Sequence, residues 1–60
     1  MKVFIVKHHH YETYLSNNVL PPTYSNKEKS AFKFGTKELA KTAITRLPIP
    51  VAWDIKEIDE

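Results

Sequence analysis

The chain has 60 residues, of which 42% are hydrophobic, with a formal net charge of +2 and no cysteine. This length allows a single small domain, residues 1–60, with a marginal core, and the lack of cysteine excludes stabilisation by disulfides. No apolar run approaches the roughly 20 residues of a transmembrane helix, and residues 3–6 are too few for the apolar part of a signal peptide. We therefore expect a soluble, cytoplasmic protein.

Residues 2–7, Lys-Val-Phe-Ile-Val-Lys, predict a first β-strand, because β-branched and aromatic residues stand between two lysines. Side chains alternate along a strand, which places Val3 and Ile5 on one face and Phe4 and Val6 on the other. A strand that is apolar on both faces normally lies inside a sheet with cover on both sides. We expect this strand to be central.

A second strand is predicted at residues 11–15, and it would form a hairpin with the first over residues 2–15. The bend of this hairpin would contain the three histidines of the chain, which are consecutive at residues 8–10. The turn-forming residues Ser-Asn-Asn follow the second strand and end it.

An extended loop is predicted at residues 16–29, in which Pro21-Pro22 excludes helix and the interior of a strand. A short third strand would follow at residues 30–34. The loop either leaves the second face of the sheet exposed or folds over it. In the second case the covering side chains would be Val19, Leu20 and Tyr24.

A helix is predicted at about residues 36–47. Thr36 is a suitable N-cap, and Glu38 places an anion in the first turn, where the helix dipole favours it. Pro48 ends the helix, since the residue before a proline is pushed out of helical geometry. The predicted apolar stripe has three- and four-residue spacing and consists of Leu39, Ala40, Ala43, Ile44 and Leu47.

The last strand is predicted at residues 51–58. Trp53 and Ile55 share one face of it whereas Ile58 falls on the other, which indicates a bulge or a frayed end. The resulting order, β-β-(β)-α-β, predicts an α+β fold. We expect a small, mainly antiparallel sheet of three or four strands packed on one amphipathic helix.

Two segments carry a resemblance. Residues 32–59, FKFGTKELAKTAITRLPIPVAWDIKEID, resemble the C-terminal half of small uncharacterised proteins of phages and prophages of Gram-positive bacteria. The shared features are an aromatic residue before a Thr-Lys-Glu helix start, a short Leu/Ala helix, a proline linker and a closing Trp-x-Ile-x-x-Ile strand. Residues 3–15, VFIVKHHHYETYL, are similar to the N-terminal hairpin of those proteins. The resemblance implies a phage or mobile-element origin and a place in the host-cell cytoplasm, and it implies no particular activity.

The histidines allow several interpretations. On a strand His8 and His10 would point to one face, a spacing that zinc ligands use, with Glu12 following on that face. Residues four apart on a strand are about 13 Å apart, too far for one tetrahedral ion unless the bend brings them together. Adventitious nickel or zinc binding and a change of charge just below neutral pH are further readings. Exposed polar residues at a bend are favoured, and we predict no metal and no cofactor.

Motifs of catalysis are missing from the sequence. There is no cysteine nucleophile and no Gly-x-Ser-x-Gly elbow, and the single glycine excludes a phosphate-binding loop and a dinucleotide fingerprint. A chain of 60 residues also leaves little room for a pocket of roughly 300–1,000 Å³. We predict that the protein is not an enzyme.

A non-enzymatic binding or accessory protein is the favoured function, acting through contact with another protein or with a second copy of itself. One short helix can cover one sheet face only, and an uncovered apolar face would be unusual in a soluble monomer. Tyrosine and tryptophan are also enriched at binding hot spots. The predicted contact residues, on whichever face the helix leaves bare, are Phe4, Val6, Tyr11, Tyr14 and Trp53.

The alternative is a nucleic-acid-binding accessory protein. Between residues 27 and 46 six cations stand against Glu28 and Glu38, and aromatic residues interleave with them. Aromatic rings beside cations commonly hold single-stranded nucleic acid by stacking and phosphate contact. The residues predicted for this function are Lys27, Lys29, Lys33, Lys37, Lys41 and Arg46.

Overall fold

Four strands form one antiparallel sheet that carries one α-helix in the computed structural model, which describes residues 1–19 and 21–60. The strands are β1 (Lys2–His8), β2 (Tyr14–Leu15), β3 (Tyr24–Ser25) and β4 (Trp53–Asp59); the helix is α1 (Lys37–Thr45), and one-turn 3-10 helices lie at Glu28–Ser30 and Pro50–Ala52. The spatial order of the strands is β3-β2-β1-β4. The predicted α+β class, a small antiparallel sheet with one helix, is confirmed.

β1 lies inside the sheet, as its two apolar faces predict. It pairs with β2 on one side and with β4 on the other, and the ladder to β4 is continuous from Lys2 opposite Asp59 to His8 opposite Trp53. Ile5 and Val6 have no exposed surface although they point to opposite faces. Both faces of the sheet are therefore covered.

The first face of the sheet, to which Phe4 and Val6 point, is covered by α1. The buried residues of this face are Val6, Leu15, Phe34, Ala40, Ala43 and Leu47. Leu39, which the predicted stripe includes, is 54% exposed. It lies at one edge of the stripe, about 40° around the helix from the buried Ala43 and about 140° from Ile44.

The ends of α1 follow from local chemistry. The Thr36 side chain accepts a hydrogen bond from the Leu39 N–H at 3.2 Å, which confirms the predicted N-cap. The helix ends at Thr45, before the predicted residue 47, because the N–H groups of Arg46 and Leu47 bond to carbonyls three residues back. This tighter turn leads the chain out of the helix before Pro48.

The second face, to which Ile5 points, has a smaller core. Its buried residues are Ile5, Tyr14 and Ala31, with Ile58 packed against them. Ala31 directly follows the 3-10 helix Glu28–Ser30, so the buried cover lies just after the predicted loop of residues 16–29. Val19 lies instead beside Leu15 and Leu47 of the first face and is 66% exposed. The prediction also names Leu20 and Tyr24 as covering residues. Leu20 lies outside the described residues.

Two predictions near this face are wrong, the third strand at residues 30–34 and the extended loop at residues 16–29. Residues 30–34 form no strand beyond a single bridge, in which Phe34 and Phe4 exchange backbone hydrogen bonds of 2.8 and 2.7 Å. The segment instead crosses from one face to the other, because Ala31 lies in the second core and Phe34 in the first. The third strand is Tyr24–Ser25, within the predicted loop, and it is joined to β2 by the pairing of Leu15 with Tyr24.

The remaining differences concern the ends of the other strands. The second strand covers residues 14 and 15 only, since residues 9–13 form the bend, which a 2.7 Å hydrogen bond from the His8 N–H to the Thr13 carbonyl closes. A bulge or frayed end at Ile58 is not present: the β1–β4 ladder is regular there, and Ile58 points to the second face because that face has a core of its own.

Candidate functional site

An aromatic cluster lies at the end of the sheet where β1 ends, and it consists of His8, Tyr11, Tyr24 and Trp53. The rings of Tyr24 and Trp53 are stacked, with centroids 5.4 Å apart and planes 14° apart. His8 meets Trp53 edge-on at 4.9 Å, and Tyr11 lies 5.1 Å from His8. Offset stacking and edge contacts of this kind are the favourable geometries for aromatic pairs.

The sheet register brings these residues together from positions far apart in the sequence. His8 is directly opposite Trp53, and Tyr24 is opposite Leu15, whose side chain lies in the first core. Cross-strand partners point to the same face, so all three rings lie on the first face. α1 covers Val6 and Leu15 but ends at Thr45, and the rings lie beyond its cover.

The connection between α1 and β4 forms the other wall of an open groove, which we call the aromatic groove. Its volume is about 150 Å³, and it is lined by His8, Tyr24, Pro48, Ile49, Ala52 and Trp53. Ile49 is 62% exposed and Val51, in the same connection, is 90% exposed. Pro48 and Pro50 fix their own backbone φ angles, so this apolar wall is stiff.

His8 also shapes the bend. Its Nδ1 accepts hydrogen bonds from the backbone N–H groups of His10, at 3.1 Å, and Tyr11, at 3.3 Å. A nitrogen that accepts carries no proton, so the neutral ring of His8 has its proton on Nε2. Beside it, His9 Nδ1 lies 2.7 Å from Oδ2 of Asp54, at the start of β4. These contacts connect the bend to both long strands.

A metal site at His8 and His10 would have few ligands. Among residues 1–19 and 21–60 there is no group of three or more His, Cys, Asp or Glu side chains that could hold a metal ion. The His8 and His10 ring centroids are 6.2 Å apart, and Nδ1 of His8 is engaged by the bend.

The five residues predicted to contact a protein are divided by the structure. Val6 is fully buried and Tyr14 is 6% exposed, while Phe4 is half-buried against the first core. The side chains of these three residues therefore pack inside the fold. Tyr11, 70% exposed, and the half-buried Trp53 both belong to the aromatic cluster.

Sequence reasoning missed Tyr24 and Ile49 as surface residues of the groove, and it missed the exposure of Val51 in the connection beside it. Tyr24 stands in a segment that the adjacent prolines mark as a loop. For the other two a signal existed: in Pro48-Ile49-Pro50-Val51 the prolines exclude a helix or strand interior, so the apolar residues between them have no regular element to bury them.

The six predicted nucleic-acid-binding cations do not form one face. Lys29 and Lys33 lie beside Ile58 at the second face, where Lys33 pairs with Glu60. Arg46 lies beside Val19 and Leu47 on the side of the first face. The others are Lys27, which precedes the first 3-10 helix, and Lys37 and Lys41 on α1.

No protein-family model, characterised protein or solved structure matches this chain. Among the described residues, neither α1 nor either 3-10 helix combines the length and the apolar character needed to cross a membrane. The aromatic groove is therefore the feature of the molecule that bears most directly on function.

Proposed function

We propose that this protein is a small non-enzymatic accessory protein that binds another protein through the aromatic groove. The observation that carries the proposal is the stacked pair of Tyr24 and Trp53, which is open to solvent in a groove that the exposed Ile49 also lines. Contiguous apolar surface of this kind marks interaction sites on soluble proteins, and Tyr and Trp are the side chains that most often dominate binding energy.

The form of the groove supports a peptide segment as the bound part of the partner. Grooves lined by aromatic rings bind extended, proline-containing segments in several recognition domains. The rings of Tyr24 and Trp53 already hold each other, and the prolines of the opposite wall are stiff. Little conformational entropy would be lost on binding, which favours affinity in a small contact. At about 150 Å³ the groove is smaller than the pockets in which small-molecule substrates are enclosed.

The setting of this function follows from the resemblance of residues 32–59 to phage and prophage proteins. It supports the proposal that the protein is phage-encoded and acts in the cytoplasm of the host cell. The partner would then be a host protein or another phage protein.

The proposal is tested by affinity capture from host lysate with the wild type, Tyr24→Ser and Leu39→Ser. Leu39 is the matched control, because it is a large apolar side chain, 54% exposed, on α1 and away from the groove. We expect a partner that the wild type and Leu39→Ser retain and that Tyr24→Ser loses by about tenfold or more. Far-UV circular dichroism of all three proteins checks that they are folded.

Trp53 provides a second measurement, because it is the single tryptophan of the chain and lies in the groove. Its fluorescence should change when the purified partner is added. Equal capture by the wild type and Tyr24→Ser would contradict the proposal. So would a salt-sensitive shift of a single-stranded oligonucleotide that persists in Tyr24→Ser, which would favour the alternative function of Lys27 to Arg46.

A further inference from the structure

The outer edge of β4 is an unpaired seven-residue edge of the sheet. Its even-numbered positions bond toward β1, as the flanking contacts of the ladder show: the Glu60 N–H donates to the Met1 carbonyl and the His9 N–H donates to the Ala52 carbonyl, both at 2.6 Å. Backbone groups of successive residues alternate in direction. The odd-numbered residues of β4 therefore direct their N–H and C=O groups away from β1.

Most of these outward groups have no partner in the part of the chain that the structure describes. The Trp53 N–H donates to the Pro50 carbonyl. No hydrogen bond from a described loop or side chain reaches the backbone of Ile55, Glu57 or Asp59. An exposed edge of this length is a template for pairing with a further strand.

We propose that the partner at this edge is a second copy of the chain, paired β4 to β4 in antiparallel fashion about a two-fold axis at Ile55. The charges of β4 select this register. Centring the pair on Asp54, Lys56, Glu57 or Asp59 would set that residue opposite itself, and centring it on Ile58 would set Glu57 opposite Asp59. Like charges directly opposite destabilise a strand pair.

The register centred on Trp53 is also excluded, because it would pair β4 with the 3-10 helix Pro50–Ala52. Registers centred between two residues would set outward backbone groups against inward ones, so they form no ladder. Ile55 is the one remaining centre, and it sets Ile55 opposite Ile55 of the second copy.

The same register is favourable in charge. It sets Asp54 opposite Lys56 of the second copy, and symmetry repeats that pair on the other side of the axis. Both side chains are accessible, Asp54 at 62% and Lys56 at 48%. Among the described residues, His9 contacts only Oδ2 of Asp54, and the Lys56 ammonium, with three N–H donors, pairs only with the Glu28 carboxylate, so both side chains keep hydrogen-bonding capacity for a second copy.

The backbone would supply four hydrogen bonds. Each Ile55 N–H would donate to the carbonyl of Ile55 in the other copy, and each Glu57 N–H to the carbonyl of Trp53 in the other copy. The product is a continuous eight-stranded sheet in which both α1 helices cover the same side. The aromatic groove lies on the first face of the sheet and meets this edge at Trp53, whose ring lines the groove and whose carbonyl would accept a hydrogen bond from the second copy.

Light scattering after size-exclusion chromatography tests the dimer, with the wild type, Glu57→Pro and Glu57→Ala as the set. Proline removes the outward N–H of residue 57, which β1 does not use, so the monomer fold is expected to persist. Alanine removes the same side chain but keeps the N–H. We expect the wild type and Glu57→Ala at twice the chain mass of 7.0 kDa and Glu57→Pro at 7.0 kDa. A monomeric wild type at high micromolar concentration, or a dimeric Glu57→Pro, would overturn the proposal.

Charge reversal tests the register separately. Asp54→Lys sets two lysines opposite each other and should raise the dimer dissociation constant about tenfold or more. Adding Lys56→Asp restores opposite charges and should restore the dimer. A dimer that ignores both changes would rule out the register at Ile55. Tyr24→Ser, which tests the groove, should dimerise like the wild type, so failure of one proposal is distinguishable from failure of the other.

Discussion

The two faces of the sheet are closed by different means. The first face has a nine-residue capped helix over it and six buried residues, including Phe34 at 1% exposure. The second face has three buried residues under a one-turn 3-10 helix that has no side-chain cap. The comparison shows that a chain with a single helix can still protect both sides of a central strand, provided that a short loop segment covers the second side.

The second face also differs from the first in the ion pairs at its surface. Lys56 of β4 reaches over the sheet to the Glu28 carboxylate of the 3-10 helix at 3.1 Å, and Lys33 pairs with Glu60. These groups are 41–48% exposed, so solvent screens the pairs. We therefore expect most of the free energy of folding to come from the first face, and mutations on the two faces can measure the difference.

The largest effect is expected for Phe34→Ala on the first face. Removing a fully buried phenylalanine costs about 3–5 kcal/mol, which equals the roughly 3–5 kcal/mol that a core of this size supplies. The variant should be largely unfolded at 25 °C by circular dichroism. Phe32→Ala is the control, because Phe32 is the same residue type, lies 4.8 Å away and is 37% exposed. If both variants fold equally well, the first core is not the main source of stability.

An intermediate effect is expected from two isoleucines of β4 that are both half-buried but on opposite faces. Ile55→Ala should lower the free energy of unfolding by about 2 kcal/mol and Ile58→Ala by about 1 kcal/mol. Ile55 packs against the helix-covered core, whereas Ile58 borders an open cavity with Glu28, Lys29 and Glu60. Urea denaturation gives both values. It should be done at low micromolar concentration, because Ile55 also lies at the proposed dimer axis. Equal losses would mean that packing on the two faces contributes equally to the free energy of unfolding.

The smallest effect is expected for Glu28→Gln, which removes the charge that pairs with Lys56 and keeps the side-chain shape. An exposed ion pair contributes about 0–1 kcal/mol, and we expect a loss at the low end of that range. Comparing the urea midpoint in low and high salt measures it, since screening should remove the difference from the wild type. A loss that persists in high salt would show that the 3-10 segment depends on Glu28 for more than charge.

Some elements of the fold can be predicted from their own residues, without knowledge of what they pack against. The strand at residues 2–7 and its central place follow from two apolar faces, and the start of α1 follows from Thr36 at the N-cap. The predicted helix, residues 36–47, is one residue too long at its start and two at its end, and its predicted stripe includes the exposed Leu39. Periodicity places apolar residues on an arc, but contact with the sheet decides how much of that arc is buried.

The candidate site was predictable only in part. Tyr11 and Trp53 were predicted as contact residues, and both belong to the aromatic cluster. Phe4, Val6 and Tyr14 have the same chemistry in the sequence, yet the structure uses them as core. Composition does not separate a buried aromatic residue from an exposed one, because that depends on which strand lies next to it.

Local sequence patterns were sufficient for the α+β class, the central strand, the capped helix and a bend after β1, which contains His9 and His10 but not His8. What covers the second face depends on the path of the folded chain, since Ala31 reaches that face through a segment without regular pattern. The stacking of Tyr24 on Trp53 also depends on this path, because the two residues are 29 positions apart in the sequence, from 24 to 53. Both are long-range contacts, fixed by strand register and chain path, and no local preference of the residues involved encodes them.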